Sequence, residues 1–236
     1  MKKPIIGIVA RPSNVFNTID IEAVEETYRN AILNAGGIPI LILPPQQISY
    51  QSNKPGEIEK LTDEEKEILK SQVDICDGIL IPGGLKAYEY DYFISDYTKE
   101  KNIPILGICL GMQVIARSNG NAVIRKNDTD ISHYSKDDYA HNVIINEDSL
   151  LNGILLSNKI MVNSFHNYHI EEVKNFDITA RSKDDIIEAI EDKNHPFRLG
   201  VQWHPEKNYK DDENSRRIFK KFIDAADNYS YKKEVK

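Results

Sequence analysis

The stretch Gly107-Ile108-Cys109-Leu110-Gly111 constrains this chain more than any other. The apolar run Pro104-Ile105-Leu106 precedes it and the helical-looking Met112-Gln113-Val114-Ile115-Ala116 follows at once, so a strand must pass into a helix with no loop between them. A cysteine in such a turn occupies a cramped backbone, and glycines two residues to either side remove the side chains that would collide there. The turn projects the sulfur outward. The helix starting behind it aims unpaired N–H groups and partial positive charge at that sulfur, which favours a thiolate. The Leu110 N–H is then positioned to donate to an oxyanion forming beside the sulfur. Cys76, the other cysteine, follows Val73-Asp74-Ile75 without flanking glycines and reads as a buried structural residue.

The surrounding rhythm is that of an α/β protein. Ile5 to Ala10 reads as a strand, Val24, Tyr28, Ala31, Ile32 and Ala35 recur at helical spacing, and Gly36-Gly37 stops that helix. Ile38 to Leu43 is a short apolar run of the kind buried on both faces of a parallel sheet. Pro44 to Leu61 carries turn formers, Thr62-Asp63-Glu64-Glu65 is a capping box opening a helix through about Gln72, and Gly78 to Ile81 is a strand stopped by Pro82-Gly83-Gly84. This alternation predicts a doubly wound, mostly parallel sheet. From Ala122 to Trp203 the pieces shorten to His141–Ile145, Ile160–Val162, Ile178–Arg181, Ile186–Glu191 and Leu199–Trp203, read as extra short, partly antiparallel strands on the same domain. A last helix covers Asn214 to Ala226. With 236 residues against roughly 150 per domain, the expectation is one domain over residues 1–227 and a polar, frayed tail over 228–236.

A cysteine nucleophile needs a base, and the base needs a group to hold its tautomer. Trp203-His204-Pro205-Glu206 offers both, since residues i and i+2 of an extended segment face the same side and Pro205 restrains the backbone between them. The remaining histidines compete for that role. His166 and His169 have the i, i+3 spacing of a metal pair but no accompanying acidic or Cys ligands, so no metal site is expected, and His133, His141 and His195 lie among polar residues where exposure is the default. Pro82-Gly83-Gly84 ends a strand with backbone N–H groups unobstructed by side chains, as a second oxyanion donor requires.

Composition narrows the partners. Thirty basic and thirty-seven acidic side chains leave a formal charge of −7, the wrong sign for a phosphate-backbone binder, so nucleic acid is not expected. The longest apolar runs fall far short of the ~20 residues of a membrane helix, and the amino terminus lacks a signal-peptide core. Two cysteines in a chain this size suit a reducing compartment, so a soluble, cytoplasmic protein is expected.

With Pro-Gly-Gly, Gly-Ile-Cys-Leu-Gly-Met-Gln and Trp-His-Pro-Glu in this order, the chain resembles the class I glutamine amidotransferase-like superfamily, whose sheet is flavodoxin-like. Val162-Asn163-Ser164-Phe165-His166 points to its cysteine-peptidase branch, peptidase C26, typified by γ-glutamyl-γ-aminobutyrate hydrolase. The resemblance runs from about Pro4 to Ile223. It implies a Cys109, His204 and Glu206 triad, an oxyanion hole from the Gly84 and Leu110 amides, and Gly83, Gln113, Ser164, Phe165 and His166 near the γ-glutamyl group. Family members commonly carry Arg after the nucleophile and a second His after Asn-Ser-x-His; here those places hold Leu110 and Asn167, so the amine half of the substrate does not carry over. The expected partner is a small γ-glutamyl amine, with a homo-oligomer left open. Acyl transfer by thiolate and imidazole calls for no cofactor. Two other readings stay open: a glutaminase subunit supplying ammonia to a separate synthetase, and a catalytically silent module that binds a γ-glutamyl metabolite.

Overall fold

A computed structural model describes residues 2–16, 18–46, 60–118 and 122–235. Strand β1 (Ile5–Val9) turns alternate residues to opposite faces, Ile6 and Ile8 into one apolar core and Val9 into another. A hairpin follows, β2 (Arg11–Val15) with β3 (Ile19–Ala23), and then helix α1 (Glu26–Ala35), which ends where Gly36 adopts a left-handed φ of 104°. Strand β4 (Ile38–Ile42) returns parallel to β1. Helix α2 (Asp63–Asp74) opens on the expected capping box: the Glu65 N–H donates to Thr62 Oγ1 and the Thr62 N–H donates to the Glu65 carboxylate. The turn-rich stretch before it lies mostly outside the described residues.

Strand β5 (Gly78–Ile81), helix α3 (Glu89–Lys101), strand β6 (Ile105–Ile108) and helix α4 (Leu110–Ser118) continue the alternation. Beyond them come β7 (Ala122–Lys126), β8 (His141–Ile145), α5 (Leu150–Leu155), β9 (Lys159–Val162), β10 (Tyr168–Val173), β11 (Asp177–Ser182), β12 (Ile187–Glu191), β13 (Arg198–Val201) and the closing helix α6 (Glu213–Val235). Strands β4, β1, β5, β6 and β13 lie side by side and parallel. The same sheet then runs on antiparallel through β12, β11, β8 and β9, with β10 and β7 branching from β12. Helices α1, α5 and α6 pack their apolar sides on one face; α2, α3 and α4 cover the other. This is the doubly wound α/β architecture that the alternation predicts, with the antiparallel strands continuing the parallel ones instead of forming a separate layer.

Two expectations change. The tail after Ala226 does not fray: α6 continues to Val235, with Ser230 buried and Lys233 donating to the Asp74 carbonyl. The hairpin β2–β3 and the strands β7 and β10 were not expected, because their exposed, polar residues blur the period of two. Cys76 is buried as expected, and that burial, reinforced by Asp77, pushes its thiol up to about 12. No helix among the described residues is long and apolar enough to cross a membrane.

Candidate active site

Four segments converge where neighbouring parallel strands end. Arg11 follows β1, Pro82-Gly83-Gly84 follows β5, Cys109 follows β6, and Gln202 to Glu206 follows β13. In open α/β sheets this carboxyl edge is where ligands bind.

Cys109 stands at φ 54°, the left-handed region that a side chain enters at a cost, between the last residue of β6 and the first of α4. Its N–H donates to the Val201 carbonyl at 2.8 Å and its carbonyl accepts from Gln113 at 3.3 Å, so strand pairing and helix start hold the turn from both sides. The two glycines are required by contact. A Cβ on Gly107 would lie 2.6 Å from the Gly111 carbonyl carbon, and one on Gly111 would lie 2.0 Å from the Ile81 carbonyl oxygen. The strand-to-helix turn is therefore built on backbone packed against backbone.

His204 meets this cysteine from β13, which pairs with β6 in parallel register. Its Nδ1 lies 2.6 Å from Glu206 Oε1, and the Cys109 sulfur acts electrostatically on the same ring. The pair is buried: His204 is 7 % exposed and Glu206 2 %. Burial opposes a charge on the imidazole, but the Glu206 carboxylate and the Cys109 sulfur outweigh it and hold the His204 pKa up at about 10. His204 thus carries its proton at neutral pH.

The glycine turn closes over the pair. A Cβ on Gly83 would lie 2.8 Å from His204 Cε1 and 3.6 Å from Cys109 Cβ, and one on Gly84 would lie 3.1 Å from Leu110 Cδ2. Both candidate oxyanion donors, Gly84 and Leu110, are therefore neighbours. Leu110 opens α4, where no carbonyl of the helix itself can take its N–H.

Three positioning groups were not evident from sequence. The Gly83 N–H donates to the buried Tyr28 hydroxyl at 3.0 Å. Arg11, paired with Asp91 at 2.5 Å, donates to the Pro82 carbonyl at 2.9 Å and to the Gly83 carbonyl at 3.3 Å, which fixes the direction of the turn. Asn163 clamps the backbone of His204, accepting its N–H and donating to its carbonyl, each at 2.8 Å. Tyr28 showed only helical spacing, Arg11 nothing, and Asn163 its place in Asn-Ser-x-His.

Of the residues expected near a substrate, Phe165 is half-buried with its ring edge-on to His204 at 5.6 Å. The side chains of the other three turn into the protein. Gln113 donates to the Tyr168 carbonyl and Gln202 Oε1, Ser164 donates to the His133 carbonyl, and the His166 ring lies among other buried histidines. His133, His141 and His195 are buried too, against the expected exposure, because polar neighbours in sequence do not reveal which strand covers a ring.

A model of the peptidase C26 family matches residues 86–206, just over half of the chain. The chain belongs to the peptidase C26 family. Its relatives include γ-glutamyl-γ-aminobutyrate hydrolase PuuD of Escherichia coli K12, 29 % identical over 99 % of this chain and 98 % of the relative. Among solved structures, the glutaminase domain of Trypanosoma brucei CTPS with bound acivicin superposes with a TM-score of 0.68, at 19 % identity and coverage of 95 % and 94 %. A glutamine amidotransferase from Thermotoga maritima gives 0.58, at 13 % identity and coverage of 96 % and 97 %. These two establish the fold alone. The C26 match and the hydrolase relative make the chain a glutamine amidotransferase-like hydrolase.

The buried carboxylate of this C26 chain gives a pH prediction. In Glu206→Gln the imidazole loses the charge that holds its pKa near 10, so the alkaline limb of kcat/KM, where His204 loses its proton, is expected to move to lower pH. At its optimum the variant should be slower by about 10³–10⁴-fold, as when a triad carboxylate becomes an amide. The linked stability has the same sign: the raised pKa stabilises the fold fully below 6.5, and this contribution is lost as pH rises through about 10. An unmoved alkaline limb would exclude His204 as the titrating group.

Proposed function

We propose that the protein hydrolyses the γ-glutamyl amide bond of a small γ-glutamyl amine through a thioester on Cys109. The observation carrying this reading is a cysteine held at φ 54° at the head of a helix, beside a buried, protonated histidine whose Nδ1 is bound by Glu206. The Cys109 sulfur attacks the γ-carbonyl carbon and a C–S bond forms, while the negative oxygen rests on the Gly84 and Leu110 amides. His204 Nε2 gives its proton to the departing nitrogen, the C–N bond breaks and the amine leaves. The neutral imidazole then takes a proton from water, which attacks the thioester; the C–S bond breaks, glutamate is released and the proton is back on His204. Glu206 keeps the ring oriented and stabilises its charged form throughout.

In this reading Gly83 and Phe165 face the γ-glutamyl group, while Gln113, Ser164 and His166 hold the wall behind it. The substrate of the E. coli relative, γ-glutamyl-γ-aminobutyrate, is the first compound to test. Leu110 and Asn167 alter two places that bear on the amine half, so the amine is best found with a panel of γ-glutamyl amines that includes glutamine. The pure protein is expected to release glutamate from at least one γ-glutamyl amine faster than from glutamine. Turnover of glutamine alone, and only after a synthetase is added, would overturn the proposal in favour of an ammonia-supplying subunit.

A further inference from the structure

Away from Cys109, three histidines and a glutamate meet inside the antiparallel half of the sheet. His133 comes from the segment before β8, His141 from the start of β8, His166 from the link between β9 and β10, and Glu188 from β12. All four are buried, and one nitrogen or oxygen from each lies within 4.8 Å of the others.

The outer nitrogen of each ring is already committed. His133 Nε2 lies 3.0 Å from Asp184 Oδ2, His166 Nδ1 lies 3.1 Å from the Tyr168 carbonyl and His141 Nδ1 lies 3.4 Å from the Asn142 carbonyl. These oxygens only accept and so favour the N–H on the outer side, with a lone pair on each inner nitrogen; Asn127 Nδ2, 3.4 Å from His166 Nδ1, has its closer acceptor in the His166 carbonyl at 2.8 Å. Three inward lone pairs therefore face a carboxylate. Among the described residues, neither oxygen of Glu188 nor His141 Nε2 has a hydrogen-bond partner, although all are fully enclosed. Such a set of like partial charges calls for a metal cation or an added proton among them.

The spacing says which kind. Four bonds of about 2.0–2.1 Å in a tetrahedron set ligand atoms about 3.3–3.4 Å apart. Here His133 Nδ1 and His166 Nε2 are 3.2 Å apart, Glu188 Oε1 lies 3.4, 3.5 and 3.7 Å from His133 Nδ1, His141 Nε2 and His166 Nε2, and the two remaining edges, from His141 to the other rings, stay within 4.8 Å, so four of the six edges match. A single shared proton would shorten one of these edges and leave the others without reason. The outer acceptors, Asp184 above all, supply the oriented second layer of a histidine–metal site, and the Glu188 and Asp184 charges balance a dication. We propose that His133, His141, His166 and Glu188 form a closed structural site for a divalent transition-metal cation, best suited to zinc. The site joins β8, β12 and the segment before β8 to the segment that carries Asn163 and Phe165 against His204, so it would stiffen one wall of the candidate active site.

Sequence alone pointed away from this because the four ligands come from separate segments. His169, the apparent partner of His166, instead bonds Asn127 Oδ1 at 2.9 Å.

The test is metal content, independent of turnover. Full-length Cys109→Ala protein, which cannot use the cysteine as a ligand, is produced in zinc-supplemented medium, desalted without chelator and analysed by elemental mass spectrometry. One zinc per chain is expected. Cobalt exchanged into the same protein should give the strong visible absorption of a tetrahedral nitrogen–oxygen site, without a thiolate charge-transfer band. Adding ZnCl2 to the stripped protein, at a hundredfold excess over Kd, should raise Tm by about 5–10 °C. Asp184→Asn leaves all four ligands in place and should weaken zinc binding about 10–100-fold. A protein that purifies metal-free, binds no cobalt and shows no Tm change with ZnCl2 would overturn the proposal and leave the cluster as a protonated histidine network. Normal zinc affinity in both Glu188→Gln and His141→Ala would move the site elsewhere.

Discussion

Replacing the sulfur in Cys109→Ala is expected to lower kcat/KM for the γ-glutamyl substrate by about 10⁴-fold or more, because loss of a nucleophile removes the covalent route and leaves only binding and the oxyanion donors. The fold should survive. Cys109 is small and lies at a turn whose geometry comes from Gly107, Gly111 and strand pairing, and alanine removes only the sulfur. Two measurements separate chemistry from collapse. The variant should match the wild type in thermal unfolding, and acid quench of the wild type during turnover should trap a glutamyl adduct on Cys109 by intact mass, with no adduct in the variant. Activity within tenfold of wild type, or an adduct on another residue, would remove Cys109 from the mechanism. Unchanged folding with no adduct in either protein, despite binding of a γ-glutamyl ligand, would favour the silent binding module.

The second large effect concerns architecture. Gly111→Ala drives a methyl to within 2.0 Å of the Ile81 carbonyl oxygen, a contact with backbone that no rotamer can relieve. Either α4 lifts from β5 or the turn at Cys109 opens. The expected destabilisation is about 3 kcal/mol or more, which for a chain of this size lowers Tm by roughly 6–12 °C. Activity should fall further than stability, since the displaced helix carries the Leu110 N–H away from Gly84. Gly153→Ala is the matched control. It lies in α5 with nothing within 4 Å of the added carbon, so it should be neutral or stabilise by up to about 1 kcal/mol. Equal Tm values for the two variants would show that close backbone approach at Gly111 is not what builds the turn.

What could be read from sequence was what is local. The β6–Cys109–α4 turn declares itself through two glycines, the capping box at Thr62 through a spacing of three, and the His204–Glu206 pair through a spacing of two, and the structure has each of these. What stayed hidden is what the sheet brings together. Arg11 is one charged residue after a strand, and only the fold reveals that it ties down Pro82 and Gly83. β2 carries Pro12 and no apolar alternation, and β10 pairs irregularly with β7, so periodicity had little to detect. The buried histidines illustrate this best: His141 opens a strand exposed on alternate residues, and His133, His166 and His195 lie in connecting segments that the fold covers, so a buried ring leaves no local trace.

Cys109 and His204 are distant in sequence, but the strands that carry them are adjacent in the sheet, Gly107 opposite Gly200 and Ile108 opposite Val201. That ladder, with the Asn163 clamp on His204, sets how far the sulfur is from the imidazole, and a slip of a single rung would send the alternating side chains to the wrong faces. A chain still emerging from the ribosome, or one clipped short of β13, therefore has Cys109 without His204 and Glu206 beside it. On the proposed reading the reaction waits for the last parallel strand, so activity is expected only once the sheet is complete.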